Sequence, residues 1–317
     1  MVSILIVSFN TARELVACLE SIAHCAAAIP HETILVDNAS ADGTVDAVRA
    51  RFSSVQVLTN DENEGFPRAS NQALRRARGD YVFFLNPDSE LRPGTLERLL
   101  EELERVPGRA AVGPRIRKEQ EFASPQCARR LPTLWTELCN LLWLDWIFPR
   151  SRMLAWKYYA PWDRSTDRDV ECLLGAAMLC RTEQVRRLGG FDESLPLYLD
   201  DMDLCKRLGD LGRLHYVSGA EVLHHYSVST RKQPQARIKR LGLQATYQYF
   251  AKHRGLAYAR AYVAVVALAG ITAFPLGFVR LLGGSLRKAR RRWDEARVFV
   301  DWAWRSKDVT YTLSRLP

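Results

Sequence analysis

Leu85-Asn86-Pro87-Asp88-Ser89 sets an amide and a carboxylate directly behind the apolar run Tyr81–Leu85. A buried strand ending in a short carboxylate-bearing turn can hold a divalent cation and a diphosphate at a sheet edge. Mg²⁺ and Mn²⁺ prefer oxygen ligands and take one or two carboxylates plus substrate phosphates. The bland alternative is a surface turn, because Asn, Pro, Asp and Ser are the commonest turn formers. Two more polar clusters follow apolar runs: Ser8-Phe9-Asn10 after residues 2–7, and Asp37-Asn38-Ala39-Ser40 after residues 33–36. Asn63-Glu64-Gly65-Phe66 adds a glycine able to bring backbone close to a ligand, with Asn71 on the first turns of the helix that follows. A Gly-Phe turn with helix capping is the plain reading of that stretch.

The elements that must position these groups alternate. Apolar runs at 2–7, 33–36, 55–58 and 81–85 read as strands. Between them, helical spacing over 11 to about 28, 45–52 and 69–78 predicts helices, the first with Asn10 or Thr11 as N-cap. Strands joined by helical crossovers imply an α/β fold, a mostly parallel sheet covered by helices in the Rossmann manner. Ligands then bind beyond the carboxyl ends of the strands, where the polar clusters stand. Residues 176–180 read as a further strand, Thr182 as the cap of a short basic helix, and 200–211 as a helix closed by Gly212.

Totals narrow the class. The chain has 317 residues, 47% hydrophobic and 26% charged, an ordinary globular balance. Its net charge of +9 is uneven: residues 231–317 hold 18 Lys and Arg against 4 Asp and Glu, and the remainder is mildly acidic. Such a basic end implies an anionic partner, a membrane surface or nucleic acid. Seven scattered cysteines without C-x-x-C spacing point to free thiols in a reducing compartment. The N-terminal segment has no basic region or cleavage site and reads as a strand, not a signal peptide.

Two apolar stretches stand apart. Five of the eight tryptophans fall between Trp135 and Trp162, so residues 131–162 read as an aromatic-rich insertion, either core or an acceptor or membrane face. Residues 261–279 are uncharged and apolar, interrupted by Gly270, Pro275 and Gly277, with basic residues 287–292 just beyond. An interfacial anchor, a single span and a soluble core helix are the alternatives; the basic neighbour favours an anchor on an anionic cytoplasmic leaflet. No G-x-G-x-x-G or G-x-x-x-x-G-K-[ST] occurs, so dinucleotide and P-loop readings lack their fingerprints.

Taken in order, these segments resemble glycosyltransferase family 2, the inverting GT-A type enzymes, and within it a rhamnosyltransferase-like bacterial branch. The match runs from residues 2–10 and 36–44 through Asn63-Glu64-Gly65-Phe66, residues 79–88, Gly189-Gly190-Phe191-Asp192-Glu193 and Asp200-Asp201-Met202-Asp203-Leu204 to His224-His225 and Ser229-Thr230-Arg231. The resemblance implies that Asp37 reads the base or ribose and that Asp88 is the second acid of a DxD motif. The first position of that motif is Asn86 here, not an acid; it can hydrogen-bond a ribose but ligates metal more weakly. Asp201 matches the catalytic base, with Asp200 as its neighbour; crowding among Asp200, Asp201 and Asp203 would raise one pKa. His224 falls at the position of a third metal ligand, with His225 as rival, and Arg231 would neutralise the leaving diphosphate. Ser8, Asn10, Asn38, Asn63, Gly65 and Asn71 complete the expected nucleotide-sugar site.

The expected protein is therefore a GT-A catalytic domain over 1–230 and a basic helical membrane-association region over 231–317. It would transfer a sugar, rhamnose by the branch resemblance, from a nucleotide-diphosphate sugar to a glycan or polyprenyl-linked acceptor, with Mg²⁺ or Mn²⁺. Its place would be the cytoplasmic face of the plasma membrane. Two alternatives are a membrane-tethered nucleotide-sugar-binding module without a base, and a pyrophosphorylase-like enzyme, for which Asn10-Thr11-Ala12-Arg13 lacks the required glycines. Nucleic acid is not an expected partner, because the basic end surrounds an apolar segment without interleaved stacking aromatics.

Overall fold

The computed structural model describes residues 1–117, 124–195, 199–225, 234–282 and 286–305. The chain forms two compact units, one from residues 1–131 and 162–232, the other from 132–161 and 233–317. The sequence placed residues 131–162 as an insertion in the catalytic domain; here 132–161 group with the C-terminal helices.

The first unit is built on strands β1 (Val2–Ser8), β2 (His31–Asp37), β3 (Gln56–Thr59), β4 (Tyr81–Leu85), β5 (Ser89–Leu91), β6 (Arg109–Arg117), β7 (Ala128–Arg129), β8 (Arg168–Val170), β9 (Cys172–Leu173), β10 (Ala177–Arg181) and β11 (Arg213–His224). In the second unit and between these strands lie helices α1 (Ala12–Cys25), α2 (Thr44–Arg51), α3 (Phe66–Arg76), α4 (Thr95–Arg105), α5 (Leu134–Leu141), α6 (Leu144–Ile147), α7 (Thr182–Arg187), α8 (Asp200–Gly209), α9 (Gln235–Arg254), α10 (Leu256–Leu282) and α11 (Leu286–Arg305).

The sheet runs β3-β2-β1-β4-β10-β6-β11-β5, with β8 also on β11, and β7 pairs with β9 in a separate ribbon. Strands β3, β2, β1 and β4 are mutually parallel. Strand β10 is antiparallel to both β4 and β6, and β11 returns parallel to β6. Every residue of β1 is buried, with side chains on both faces of the strand covered, which explains its apolar stretch from Ile4 to Val7. The buried Ser3 is satisfied by donating to Glu32 and accepting from the Gly79 N–H. The expected α/β, mostly parallel, helix-covered sheet is thus the architecture found.

Local signals differ in detail. Helix α1 begins at Thr11, but its side chain makes no capping bond; the Ala12 N–H donates instead to Asp42 Oδ2 at 3.0 Å, from the β2–α2 loop. The run at 261–279 is not interrupted: α10 continues through Pro275.

Candidate active site

The nucleotide-side residues are assembled by parallel register. Ser8 lies opposite Asp37 at the carboxyl ends of β1 and β2. Ser8 Oγ and Ser40 Oγ donate to Asp37 Oδ1 at 2.7 and 2.6 Å, and the Ser40 N–H donates to Oδ2 at 2.9 Å. Asp37 is buried at this edge. Asn10, at φ 53°, bonds across the same edge: its N–H donates to Ser40 Oγ at 2.8 Å, and its Oδ1 accepts from the Ala41 N–H at 2.8 Å. Asn38 Nδ2 reaches the Gly65 carbonyl at 3.3 Å, while Asn63 Oδ1 accepts from the Gly65 N–H at 3.0 Å. Six of the expected positions therefore share one strand-end cluster.

Asn71 is held apart from that cluster by bonds of its own. Its Oδ1 accepts from the Phe191 N–H at 2.9 Å, and its Nδ2 donates to the Phe191 carbonyl and to Glu193 Oε1, both at 2.9 Å. It clamps the turn after Gly190, where a Cβ would fall 2.2 Å from Asn71 Oδ1. Arg231 lies outside the described residues.

A second corner forms because β5 pairs antiparallel with β11, setting His224 opposite Ser89. His224 Nε2 then lies 3.1 Å from Asp88 Oδ1 and 3.4 Å from Asn86 Nδ2, joining the 86–88 turn to a segment far away in sequence. Asp88 and His224 are both buried. The rival His225 turns to Glu90 at 2.8 Å. A carboxylate oxygen and an imidazole nitrogen, converging in a buried corner, fit Mn²⁺ better than Mg²⁺. Glu102, Asp167 and His215 also cluster, but Glu102 is already ion-paired to Arg105 and Arg109.

The third corner is the start of α8. Asp201 Oδ2 accepts from Arg129 at 2.8 Å and from the Gly175 N–H at 3.2 Å. Asp201 Oδ1 is buried with no hydrogen-bond partner among the described residues. Asp203 does not crowd the pair as expected. It is fully buried and ion-paired to Arg207 one turn along the helix. The β4–β10 pairing sets Ala177 opposite Leu85, so the turn before β10 lies beside Asn86. Within that turn, the Ala176 carbonyl accepts from the Asn86 N–H at 2.9 Å, while Gly175 holds Asp201. A Cβ at position 175 would lie 3.1 Å from Asp201 Cβ, so any side chain there would require Asp201 to give by a few tenths of an ångström. One short turn thus links the Asp88 corner to Asp201.

Comparison with known proteins agrees with this geometry. The family description "Glycosyl transferase family 2" matches residues 3–158. The chain is 32% identical over 239 residues to N-acetylglucosaminyl-diphospho-decaprenol L-rhamnosyltransferase of Mycobacterium tuberculosis, covering 71% of this chain and 76% of that one. The chain belongs to glycosyl transferase family 2. Rhamnosyltransferase WbbL of Escherichia coli is 26% identical over 185 residues, 58% of this chain and 66% of its own. Among solved structures, mannosyltransferase PcManGT from Pyrobaculum calidifontis superposes with a TM-score of 0.57 at 19% identity, covering 98% of this chain and 87% of that one. That likeness is one of fold.

Two residues of this family 2 site were not anticipated. Arg129, on a two-residue strand, carries no sequence signal, and Gly175 is one small residue in an apolar stretch. In the Asp200–Asp201 pair, burial first and the Asp201 charge second push Asp200 up to about 7. An unfolded aspartate ionises near 3.9, approximately. The resulting penalty on the folded state is absent at acid pH, grows as pH rises between those values, and is constant above. Asp200→Asn is expected to raise the melting temperature by an increment that grows from acid to neutral pH and then levels off. Calorimetry across that range checks it, and a pH-independent difference would contradict it.

Proposed function

We propose that this chain is an inverting glycosyltransferase that moves a sugar, rhamnose in the first instance, from a nucleotide-diphosphate donor to a hydroxyl of a polyprenyl-diphosphate-linked glycan. Its setting is cell-envelope polysaccharide synthesis at the cytoplasmic face of the plasma membrane. The observation that carries the reading is the division of labour within one carboxylate: Arg129 and Gly175 hold Asp201 Oδ2, leaving Oδ1 with a lone pair and no partner among the described residues. A fixed carboxylate with one spare oxygen is what a general base needs. The choice of sugar and acceptor leans on the mycobacterial relative, whose name specifies rhamnose and a decaprenol diphosphate.

In this reading the nucleoside lies along the β1 and β2 ends against Asp37, and Asn86 reaches the ribose. The diphosphate faces Asp88 and His224. Asp88 and His224 would hold a divalent cation, which when bound would supply positive charge to the departing diphosphate; the fold neighbour PcManGT was solved with GDP-Man and Mn²⁺. Asp201 Oδ1 takes the proton of the acceptor hydroxyl as its oxygen attacks the anomeric carbon. The bond from that carbon to the diphosphate breaks, the nucleoside diphosphate leaves with the bonding pair, and a single displacement inverts the configuration.

The test is a transfer assay on the full chain with dTDP-, UDP- and GDP-linked sugars, a polyprenyl-diphosphate-linked GlcNAc acceptor, and Mn²⁺, Mg²⁺ or chelator. Product from dTDP-rhamnose with inverted configuration supports the reading. A retained configuration, or donor binding without transfer to any acceptor, would overturn it. Asp88→Ala is expected to raise the donor KM and the Mn²⁺ requirement by at least about 10–100-fold, the cost of disturbing even the residues that orient a metal ligand. An unchanged Mn²⁺ titration would remove Asp88 from that role.

A further inference from the structure

By length and composition, Leu256–Pro275 of α10 could cross a bilayer. Its packing within the helical unit argues for a different placement. Successive buried residues of α10 (Ala259, Tyr262, Val266, Ala269 and Ala273) recur at helical spacing and form one stripe. Towards its end the helix meets α11 at close quarters. A Cβ at Gly270 would fall 2.9 Å from Val300, and one at Gly277 would fall 2.1 Å from the Trp293 indole nitrogen. Trp293 Nε1 also donates to the Phe274 carbonyl at 3.2 Å. Helix α11 therefore runs back along α10, separated from it by no more than small side chains.

Helix α11 could not enter hydrocarbon. Glu295 is buried in a network with Lys239, Arg291 and Arg292, and Asp301 pairs with Arg240 and Arg305. A spanning α10 would drag these charges towards the bilayer centre, where each is strongly disfavoured. Yet a second stripe of α10, bordered by Trp293 of α11 where its ring meets Phe278 at 5.2 Å, is exposed and apolar: Leu268, Ile271, Phe274, Phe278, Leu281 and Leu282, with Ile271 65% and Leu282 88% accessible. The same end of the hairpin carries Trp143 under Arg291 and Arg292, at 5.2 and 4.1 Å. From Trp143 the chain leads into Trp146, Ile147 and Phe148, all exposed.

We propose that the helical unit lies flat on a single leaflet of an anionic bilayer, with the exposed stripe of α10 sunk among the acyl chains and α11 facing away from them. An apolar helix face bordered by basic residues and tryptophan is the make-up of an in-plane amphipathic anchor. Residues 287–292 contain five Lys and Arg, which suit acidic headgroups. A second copy of the chain is the poorer occupant, because it would bring that same basic segment against itself. The inference deepens the lipid-linked acceptor reading, but its readout needs no donor, acceptor or turnover, so the two can fail separately.

The experiment is flotation of the full chain with phosphatidylcholine vesicles and with phosphatidylcholine–phosphatidylglycerol vesicles. Binding is expected to the anionic vesicles and to weaken with salt. The double variant Leu268→Asp, Ile271→Asp, altered only at exposed positions, is expected to keep its melting temperature and lose vesicle affinity by at least about tenfold. Cysteines placed singly at Arg254 and Arg290, on either side of α10, are expected to show the same accessibility to an impermeant maleimide in sealed inverted membrane vesicles. Opposite accessibility would make α10 a span and overturn the proposal. So would a wild-type chain that ignores both vesicles, a double variant that binds as well as wild type, or a lipid-free dimer dissolved by Ile271→Asp.

Discussion

Asp201→Asn is expected to lower kcat for sugar transfer by about 10²–10⁴-fold, the range for removal of a positioned base, and to leave the affinity for nucleoside diphosphate unchanged. The two halves of this expectation come from the two oxygens. An asparagine Oδ1 can still accept from Arg129 and from the Gly175 N–H, so the start of α8 keeps its anchor. The other position becomes an NH₂ with no lone pair for a proton, so the acceptor hydroxyl is never deprotonated. The proposed nucleotide side, at Asp37 and Ser8, lies on different strands and is untouched. Steady-state kinetics paired with calorimetric titration of nucleoside diphosphate measures both. Retention of full activity would dismiss Asp201 as the base, whereas loss of binding together with activity would assign it to the donor instead.

Arg129→Ala is expected to be the most destabilising single change in the site. Arg129 and Asp201 are both about nine-tenths covered and bonded at 2.8 Å. Removing one partner of such a pair leaves a buried charge uncompensated, which costs about 3–5 kcal/mol. Here the cost is sharpened by Asp200, whose proximity already makes charge at the pair unfavourable. The pair is then expected to hold a proton to higher pH, moving the acidic limb of the pH–rate profile upward. Denaturant melts report the stability and the pH profile reports the charge, so a merely structural role would show only the first. Arg129→Lys, which keeps the charge but loses the planar donor fork, is expected to restore the pH profile more fully than the stability. A profile that does not move in Arg129→Ala would separate Arg129 from the reaction.

What the sequence disclosed follows the range of the forces involved. Strands β1, β2 and β4 were readable because a strand covered on both faces must be apolar throughout, and the polar residues that end them stand where ligands bind in such sheets. The running order of the sheet after β4 was not readable. Strand β10 enters antiparallel, and nothing in Ala177–Arg181 records its direction. His224 could be placed beside Asp88 only through the family resemblance, because the pairing that joins them, β5 with β11, rests on a three-residue strand. Asn71 shows a different limit. A polar side chain near a presumed ligand looks the same in sequence whether it faces that ligand or clamps a backbone turn at Phe191. Arg129 and Gly175 left no trace at all, since one supplies a long-range charge and the other supplies only the absence of a side chain.

The helical unit is stitched from two pieces, residues 132–161 and 233–317, with much of the sheet encoded between them. During synthesis the first piece, with Trp143 and Trp146, leaves the ribosome well before α9, α10 and α11 exist to receive it. That aromatic segment must wait as an unpaired sticky surface, the situation in which nascent chains recruit chaperones. The same interleaving governs how the gene can be cut. A product stopped after residue 232 would not be a trimmed enzyme but one with an orphaned 30-residue aromatic loop (132–161), and it is expected to precipitate unless that loop is excised as well.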